Sequence, residues 1–403
     1  MALIQPFRGT RYGKNNLSML LCPPYDIISP EQKQSLKKKS PDNMVRLELP
    51  DPEGNRNKYR QASRLLKQWH AAGVLVTDGR PAFYFYEQSF KDGGKQKVRR
   101  GFFAALRLED PQKGDVKPHE RTLAKPKADR LKLLRAVRAN LSPIFGLFSD
   151  RNHSLLSLTV QVARMKPLAI ATDSDNVRHR LWRIDDPAYF GKITATVAPQ
   201  NVFIADGHHR YETAWNYLQE RKRTDRHYTK DAEYNYVLAF LCPMEDPGLS
   251  IWPTHRVVEP PKDLEERIGK YFNVFPAGQF ARRARRSPQP LLLTCAGKSR
   301  TLVIKSNALL KKAMPGKCKA YRELGVSMLH ALLLPDVPPE KITYVKSAEE
   351  TVRLARQRGC LAVIVPATPV AAVKEIALAG QTMPQKSTYF YPKIASGIVI
   401  HSV

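Results

Sequence analysis

Paired cysteines are missing from this chain of 403 residues. Its five cysteines, at positions 22, 242, 295, 318 and 360, contain no C-x-x-C spacing, so neither a zinc site nor a disulfide framework is indicated. Buried thiols in a reducing cytoplasm are the expectation. Long apolar runs are missing too. None approaches the roughly 20 residues that a membrane span needs, and no charged-then-apolar leader opens the chain, so a cytoplasmic protein without a membrane partner is expected. There is no Walker A loop and no G-x-G-x-x-G, which removes the usual nucleotide fingerprints. Acidic residues are scarce: 37 Asp and Glu stand against 66 Lys and Arg, for a net charge of +29. Such a field attracts phosphate-bearing partners, nucleotides or nucleic acids. The excess is spread over clusters at 37–39, 125–138, 282–286 and 311–322, which is weaker evidence for a DNA site than one basic stripe would be.

What the chain does have is concentrated in Asn201 to Leu218, NVFIADGHHRYETAWNYL. Val202 to Ala205 suit a buried strand, Asp206-Gly207 break it, and Tyr211, Ala214, Trp215 and Leu218 recur at helical spacing. The spacing predicts a strand, a tight turn and a helix start. A helix N-terminus offers free N–H groups and partial positive charge to an anion, and Gly207 admits close approach to the backbone. Asp206, His208, His209, Arg210 and Glu212 crowd this turn, so metal ligation, proton transfer and phosphate clamping can all draw on it. An ordinary capped helix start draws on the same residue types.

IADGHHRYETA resembles the signature of a widespread prokaryotic family, the domain-of-unknown-function family numbered one thousand and fifteen. That family resembles the ParB/sulfiredoxin superfamily, whose members hold nucleotide phosphates on a comparable loop at a helix N-terminus. A free-serine kinase of the superfamily has a similar DG-H-R turn. The matching positions are Gly207, His209, Arg210 and Ala214. Four more segments resemble the family: PPYD-I-S at 23–29, residues 119–150, residues 243–258, and residues 380–397.

Each segment admits a structural and a functional role. Asp26 either faces a site or caps the helix starting near Pro30. In His119-Glu120-Arg121-Thr122, Glu120 is the candidate general base, because a carboxylate can accept a hydroxyl proton. An ion-pair role fits it equally. The helix behind it is expected to bury Leu131, Leu134 and Val137 and to set Arg130, Lys132, Arg135 and Arg138 on its solvated sides. Thr254, His255 and Arg256 suit phosphate binding or a hydrogen-bonded strand entry. Lys386, Ser387 and Thr388 supply one cation and two hydroxyls, a phosphate-binding composition, within what also reads as a tethering loop packed by Tyr389, Phe390 and Tyr391. Elsewhere, Tyr59–Ala72 reads as a helix, 82–90 and 98–108 as a hairpin around Gly93-Gly94, 291–305 as a hairpin around Gly297-Lys298, and 343–366 as a β-α-β unit.

The expected fold is α/β, mixed α+β. Residues 1–260 form a ParB/sulfiredoxin-like core with the DGHHR turn, and residues 261–403 form a smaller α/β subdomain with the Lys-Ser-Thr loop. The expected activity is a nucleotide-dependent phosphotransfer from ATP or ADP to a small hydroxylated metabolite, with free serine implied by the kinase resemblance. Glu120, Asp206 and His209 are the catalytic candidates. Gly207, His208, Arg210, Thr254, His255, Arg256, Lys386, Ser387 and Thr388 are the phosphate-binding candidates, and Asp206 is also the ligand for Mg2+. The alternatives are a ParB-like, nucleotide-gated DNA-binding protein, for which nucleic acid is the partner, and a metal-dependent hydrolase using Asp206, His208 and His209. Adjacent histidines on a helix diverge, which counts against the last.

Overall fold

Alternating aromatics make the longest strands. Phe83–Asp92 and Lys95–Arg107 pair antiparallel and turn at Gly93-Gly94, where both glycines hold positive φ. In the computed structural model, which describes residues 1–52, 57–120 and 124–403, the chain divides into two units. One comprises residues 1–118, 122–250 and 392–403, and the other residues 119–121 and 251–391.

The first unit is built on a mixed sheet of nine strands. Their order is Val116–Lys117, Val202–Asp206, Ile144–Phe148, Tyr236–Pro243, Lys95–Arg107, Phe83–Asp92, Arg178–Ile184 and Ala169–Thr172, and Ile4–Gln5 adds to Lys95–Arg107. Val202–Asp206 is thus an inner strand, parallel to Val116–Lys117 and antiparallel to Ile144–Phe148. Its short run of Val, Phe, Ile and Ala is buried throughout, as a strand covered on both faces requires. Helix His208–Thr224 follows directly. It buries Tyr211, Ala214 and Leu218, spaced by three and four residues, in the core cluster that holds Phe83, Phe102 and Ile204.

The second unit carries a six-stranded antiparallel sheet in the order Phe272–Pro276, Lys298–Ile304, Leu291–Cys295, Leu361–Ile364, His255–Val258 and Thr343–Val345. Leu264, Ile268, Met328, Leu329 and Leu332 pack one apolar layer against Val258, Leu293 and Val363. Ala355 of helix Ala348–Arg358 clusters with Val257 and Ala362. The β-α-β unit expected at 343–366 is present, but its two strands flank His255–Val258 instead of pairing with each other.

The mixed α/β class is therefore the fold found. Several local expectations need correction. Ser29, not Asp26, caps helix Pro30–Lys39, accepting from the Gln32 N–H at 3.1 Å. Arg130 is not on a solvated face. It is 7% exposed, donates to the Glu48 carbonyl at 2.8 Å, and lies 4.2 Å from the Tyr25 ring centroid. The buried stripe of helix Ala124–Val137 includes Leu133, Leu134 and Val137, while Leu131 is half-buried. The hairpin after residue 291 turns at Ala296-Gly297, one residue earlier than expected, because both positions take positive φ there. Arg121 and Thr122 of the His-Glu-Arg-Thr cluster lie outside the described residues.

Candidate functional site

The strand, turn and helix around Gly207 set the site. The ladder with Ile144–Phe148 shifts register between Ile204 and Asp206, an irregularity that re-aims the last residue of the strand. Gly207 then takes φ +87°, and helix His208–Thr224 starts without a side-chain cap. A Cβ at Gly207 would stand 3.0 Å from the Arg210 guanidinium, so glycine is required both by its φ and by the side chain folded back over it. Arg210 donates from Nη2 to Asp206 Oδ2 at 2.7 Å, and from Nη1 to the Pro143 carbonyl.

A second cation reaches the same carboxylate. Lys393 Nζ donates to Asp206 Oδ1 at 2.6 Å, with side-chain exposures of 12% for Lys393 and 18% for Asp206. Burial pushes the Asp206 carboxyl up, but the charges of Lys393 and Arg210 outweigh that and hold it well below the ordinary carboxylate range. Lys393 is positioned from behind. Gln88 Nε2 donates to the Lys393 carbonyl at 2.9 Å, and Arg99 donates to Gln88 Oε1 and to the Pro392 carbonyl. Arg99 is fully buried, with its guanidinium 4.9 Å from the Phe145 ring centroid. Neither Lys393 nor this supporting pair is among the site residues expected from sequence. The one available signal was a lysine in a family-like segment 187 positions from Asp206.

The remaining turn residues divide. His208 is buried, 7% exposed, and its charge adds to the lowering at Asp206. His209 is half-buried. Glu212 accepts from Lys127 Nζ at 2.7 Å.

Glu120, Thr254, His255, Arg256, Lys386, Ser387 and Thr388 lie in the second unit, where they form a cluster of their own. Met383 N–H donates to the His119 carbonyl at 2.8 Å, and Glu120 is half-buried beside it. Glu120 Oε1 accepts from the Lys386 backbone N–H at 3.4 Å. His119, fully buried, places Nε2 3.1 Å from Thr388 Oγ1. Ser387 is buried, and its hydroxyl donates to the Pro384 carbonyl at 2.5 Å. Lys386 is exposed and takes φ +56°. Arg256 is fully buried. Its guanidinium donates to the carbonyls of Thr254, Gln385 and Lys386, and lies 5.3 Å from the Tyr344 ring centroid. Burial lowers Arg256 to about 10, and burial together with Arg256 lowers His255 to about 4. His255 Nδ1 accepts from the Val365 N–H at 3.3 Å. Thr254-His255-Arg256 thus opens strand His255–Val258 with these hydrogen bonds in place, and Arg256, Ser387 and Thr388 each bond within or onto the Lys-Ser-Thr loop.

Magnesium fits this chain poorly at Asp206. Both carboxylate oxygens there already accept from cationic side chains. Among the described residues, no three His, Cys, Asp or Glu side chains gather as metal ligands, so the trio of Asp206, His208 and His209 assembles no metal site either. Among them too, no helix is long and apolar enough to cross a membrane.

Residues 4–327 match the DUF1015 family, described as a protein of unknown function, and the chain belongs to that family. It matches none of the curated proteins compared with it. Among solved structures it is similar to a conserved hypothetical protein from Pyrococcus furiosus, at 13% identity and TM-score 0.37 over 71% of this chain and 91% of that one. A free serine kinase in complex with AMP is similar at 12% identity and TM-score 0.35, covering 70% and 89%. SbnI with a C-terminal truncation, from Staphylococcus aureus, is similar at 10% identity and TM-score 0.36, covering 73% and 85%.

Proposed function

We propose that the chain is a nucleotide-dependent phosphotransferase whose turn at Asp206–Arg210 holds the nucleotide phosphates. The observation that carries the reading is the meeting of Arg210 and Lys393 on Asp206 at a helix start that no side chain caps. Two guanidinium and ammonium charges against one carboxylate leave a net positive charge there. The N-terminal N–H groups of a 17-residue helix add to it. Asp206 keeps both cations in place and stays ionised while it does so.

In the reaction, an acceptor hydroxyl oxygen attacks the terminal phosphorus. The P–O bond to the leaving nucleotide breaks, and the electron pair departs with that nucleotide. Arg210, Lys393 and the helix N–H groups offset the charge that develops on the transferred phosphoryl group. His209 orients the phosphate, and a general base takes the hydroxyl proton. The nucleotide is ATP or ADP. The acceptor is a small hydroxylated metabolite, with free serine the first to assay because the DGHHR turn resembles that of the serine kinase branch. No step here runs through a protein-held metal.

The test is a thermal-shift and phosphorus-NMR screen with ATP and ADP in magnesium-containing buffer, with pooled hydroxylated metabolites. A nucleotide-dependent rise in melting temperature and a new phosphomonoester resonance are expected, the resonance being lost in His209→Ala. Unchanged melting of the wild type with either nucleotide overturns the reading.

A further inference from the structure

Two basic stretches of the sequence, 282–286 and 311–322, belong to the second unit. Within the second unit they come together. Arg285, Arg286 and Lys319 line one cavity of about 620 Å³. That volume lies in the range of small-molecule sites. Its floor is apolar: Leu324 and Ala372 line it and belong to a buried cluster with Val326, Val373 and Ile376.

One buried residue ties the walls together through its side chain and its backbone. Gln289, 6% exposed, donates from Nε2 to the Ala367 carbonyl at 2.8 Å and accepts from the Gly325 N–H at 2.8 Å, while its own N–H donates to the Glu323 carbonyl at 2.9 Å. Three chain segments are thereby held around the opening before any ligand arrives, which removes part of the ordering cost of binding.

The charges on the lining are unequal in use. Glu323 is 3.9 Å from Lys319 and accepts from the Ser287 hydroxyl. Glu375 is the other carboxylate. Neither Arg285 nor Arg286 forms an ion pair among the described residues, and both are exposed. Two adjacent guanidinium groups above a rigid apolar floor select a ligand that is anionic at one end and apolar in its body, since guanidinium donors match the oxygens of phosphate and carboxylate.

We propose that this cavity is a second ligand site, for a small organic phosphate with an apolar body. Phosphate oxygens pair with Arg285 and Arg286, and the body lies on Leu324 and Ala372. The site is built within the second unit alone and does not depend on the activity proposed at Asp206.

The full chain is titrated with anilinonaphthalene sulfonate, a fluorescent apolar anion, and the dye is competed with phenyl phosphate, phenol and inorganic phosphate. Saturable enhancement is expected, displaced by phenyl phosphate at concentrations where phenol and inorganic phosphate fail. Arg285→Glu with Arg286→Glu should weaken dye binding about tenfold or more. Ala371→Trp, at an exposed lining position, should abolish it by filling the space. His209→Ala should leave it unchanged. Equal displacement by phenol overturns the assigned charge, and equal displacement by inorganic phosphate overturns the apolar body. Dye binding that survives both sets of substitutions in variants melting like wild type overturns the site.

Discussion

Lys393→Met removes one of the two cations on Asp206 and leaves the side-chain volume nearly unchanged. Breaking a buried ion pair by deleting one partner costs about 3–5 kcal/mol when the remaining charge has nothing else. Asp206 still has Arg210 at 2.7 Å, and both Lys393 and Asp206 keep a little solvent access, at 12% and 18%. The cost should therefore fall to about 2 kcal/mol, or roughly 4–8 °C in melting temperature for a unit of this size. The pH dependence has a definite sign. The Asp206 carboxyl is depressed in the folded chain, so its contribution is complete above the ordinary carboxylate range, near pH ~4, and is lost as pH falls. The gap between wild type and Lys393→Met should close on acidification. A cycle of Asp206→Asn, Lys393→Met and the double variant, followed by thermal melts at about pH 7 and about pH 3, on either side of the ordinary carboxylate range, gives the coupling directly. About 1–3 kcal/mol is expected for residues in one ion-pair network. Nucleotide affinity should drop about tenfold in Lys393→Met, and the double variant should not recover it. A coupling below about 0.3 kcal/mol, the level of independent sites, or a gap that widens as pH falls, would refute the reasoning.

Gly207→Ala should destabilise by about 1–2 kcal/mol, because φ +87° disfavours a Cβ and that Cβ would stand 3.0 Å from Arg210. A wild-type melting temperature in that variant would show that the turn relaxes freely. Burial raises the Asp246 carboxyl to about 6, against the lowering effect of the Arg100 and Gly248 N–H donors and the Arg99 charge. Because the folded state holds that proton to higher pH than the unfolded chain, stability should fall as pH rises from about 4 to about 6 and then level. Asp246→Asn should flatten that slope in melts taken across the interval, and an unchanged slope would assign it to other groups.

Elements whose cause is local were legible in the sequence. The aromatic strands and their Gly93-Gly94 turn, the helix closed by Gly73, and the strand, break and helix of 202–218 each follow from side-chain period and from where glycine permits positive φ. Elements decided by distant partners were not. Arg130 read as a solvated helix residue because its partners, buried Glu48 and half-buried Tyr25, lie more than 80 positions away. The two strands of the β-α-β unit were legible singly, but their separation by His255–Val258 depends on pairing that no local pattern encodes.

The same division runs through the site. Asp206, Gly207 and Arg210 fall within five residues, so one strand, one turn and one helical spacing of four bring them together. Lys393 reaches Asp206 only because Arg99 and Gln88, opposite each other in the long hairpin, hold the backbone at Pro392 and Lys393. In sequence those two residues are unremarked polar positions in an aromatic strand pair. The Lys-Ser-Thr loop shows the converse. Its composition matches a phosphate site, yet Ser387 donates to Pro384, Thr388 is bonded to His119, and Arg256 is committed to the carbonyls of residues 385 and 386. A loop with positive φ at Lys386 and few regular backbone bonds must satisfy its carbonyls from nearby side chains. Polar composition therefore measures what a loop needs as well as what it offers. At the DGHHR turn, strand pairing and helical hydrogen bonds already serve most of the backbone, and the cations there are held by a carboxylate, with charge left over for a ligand.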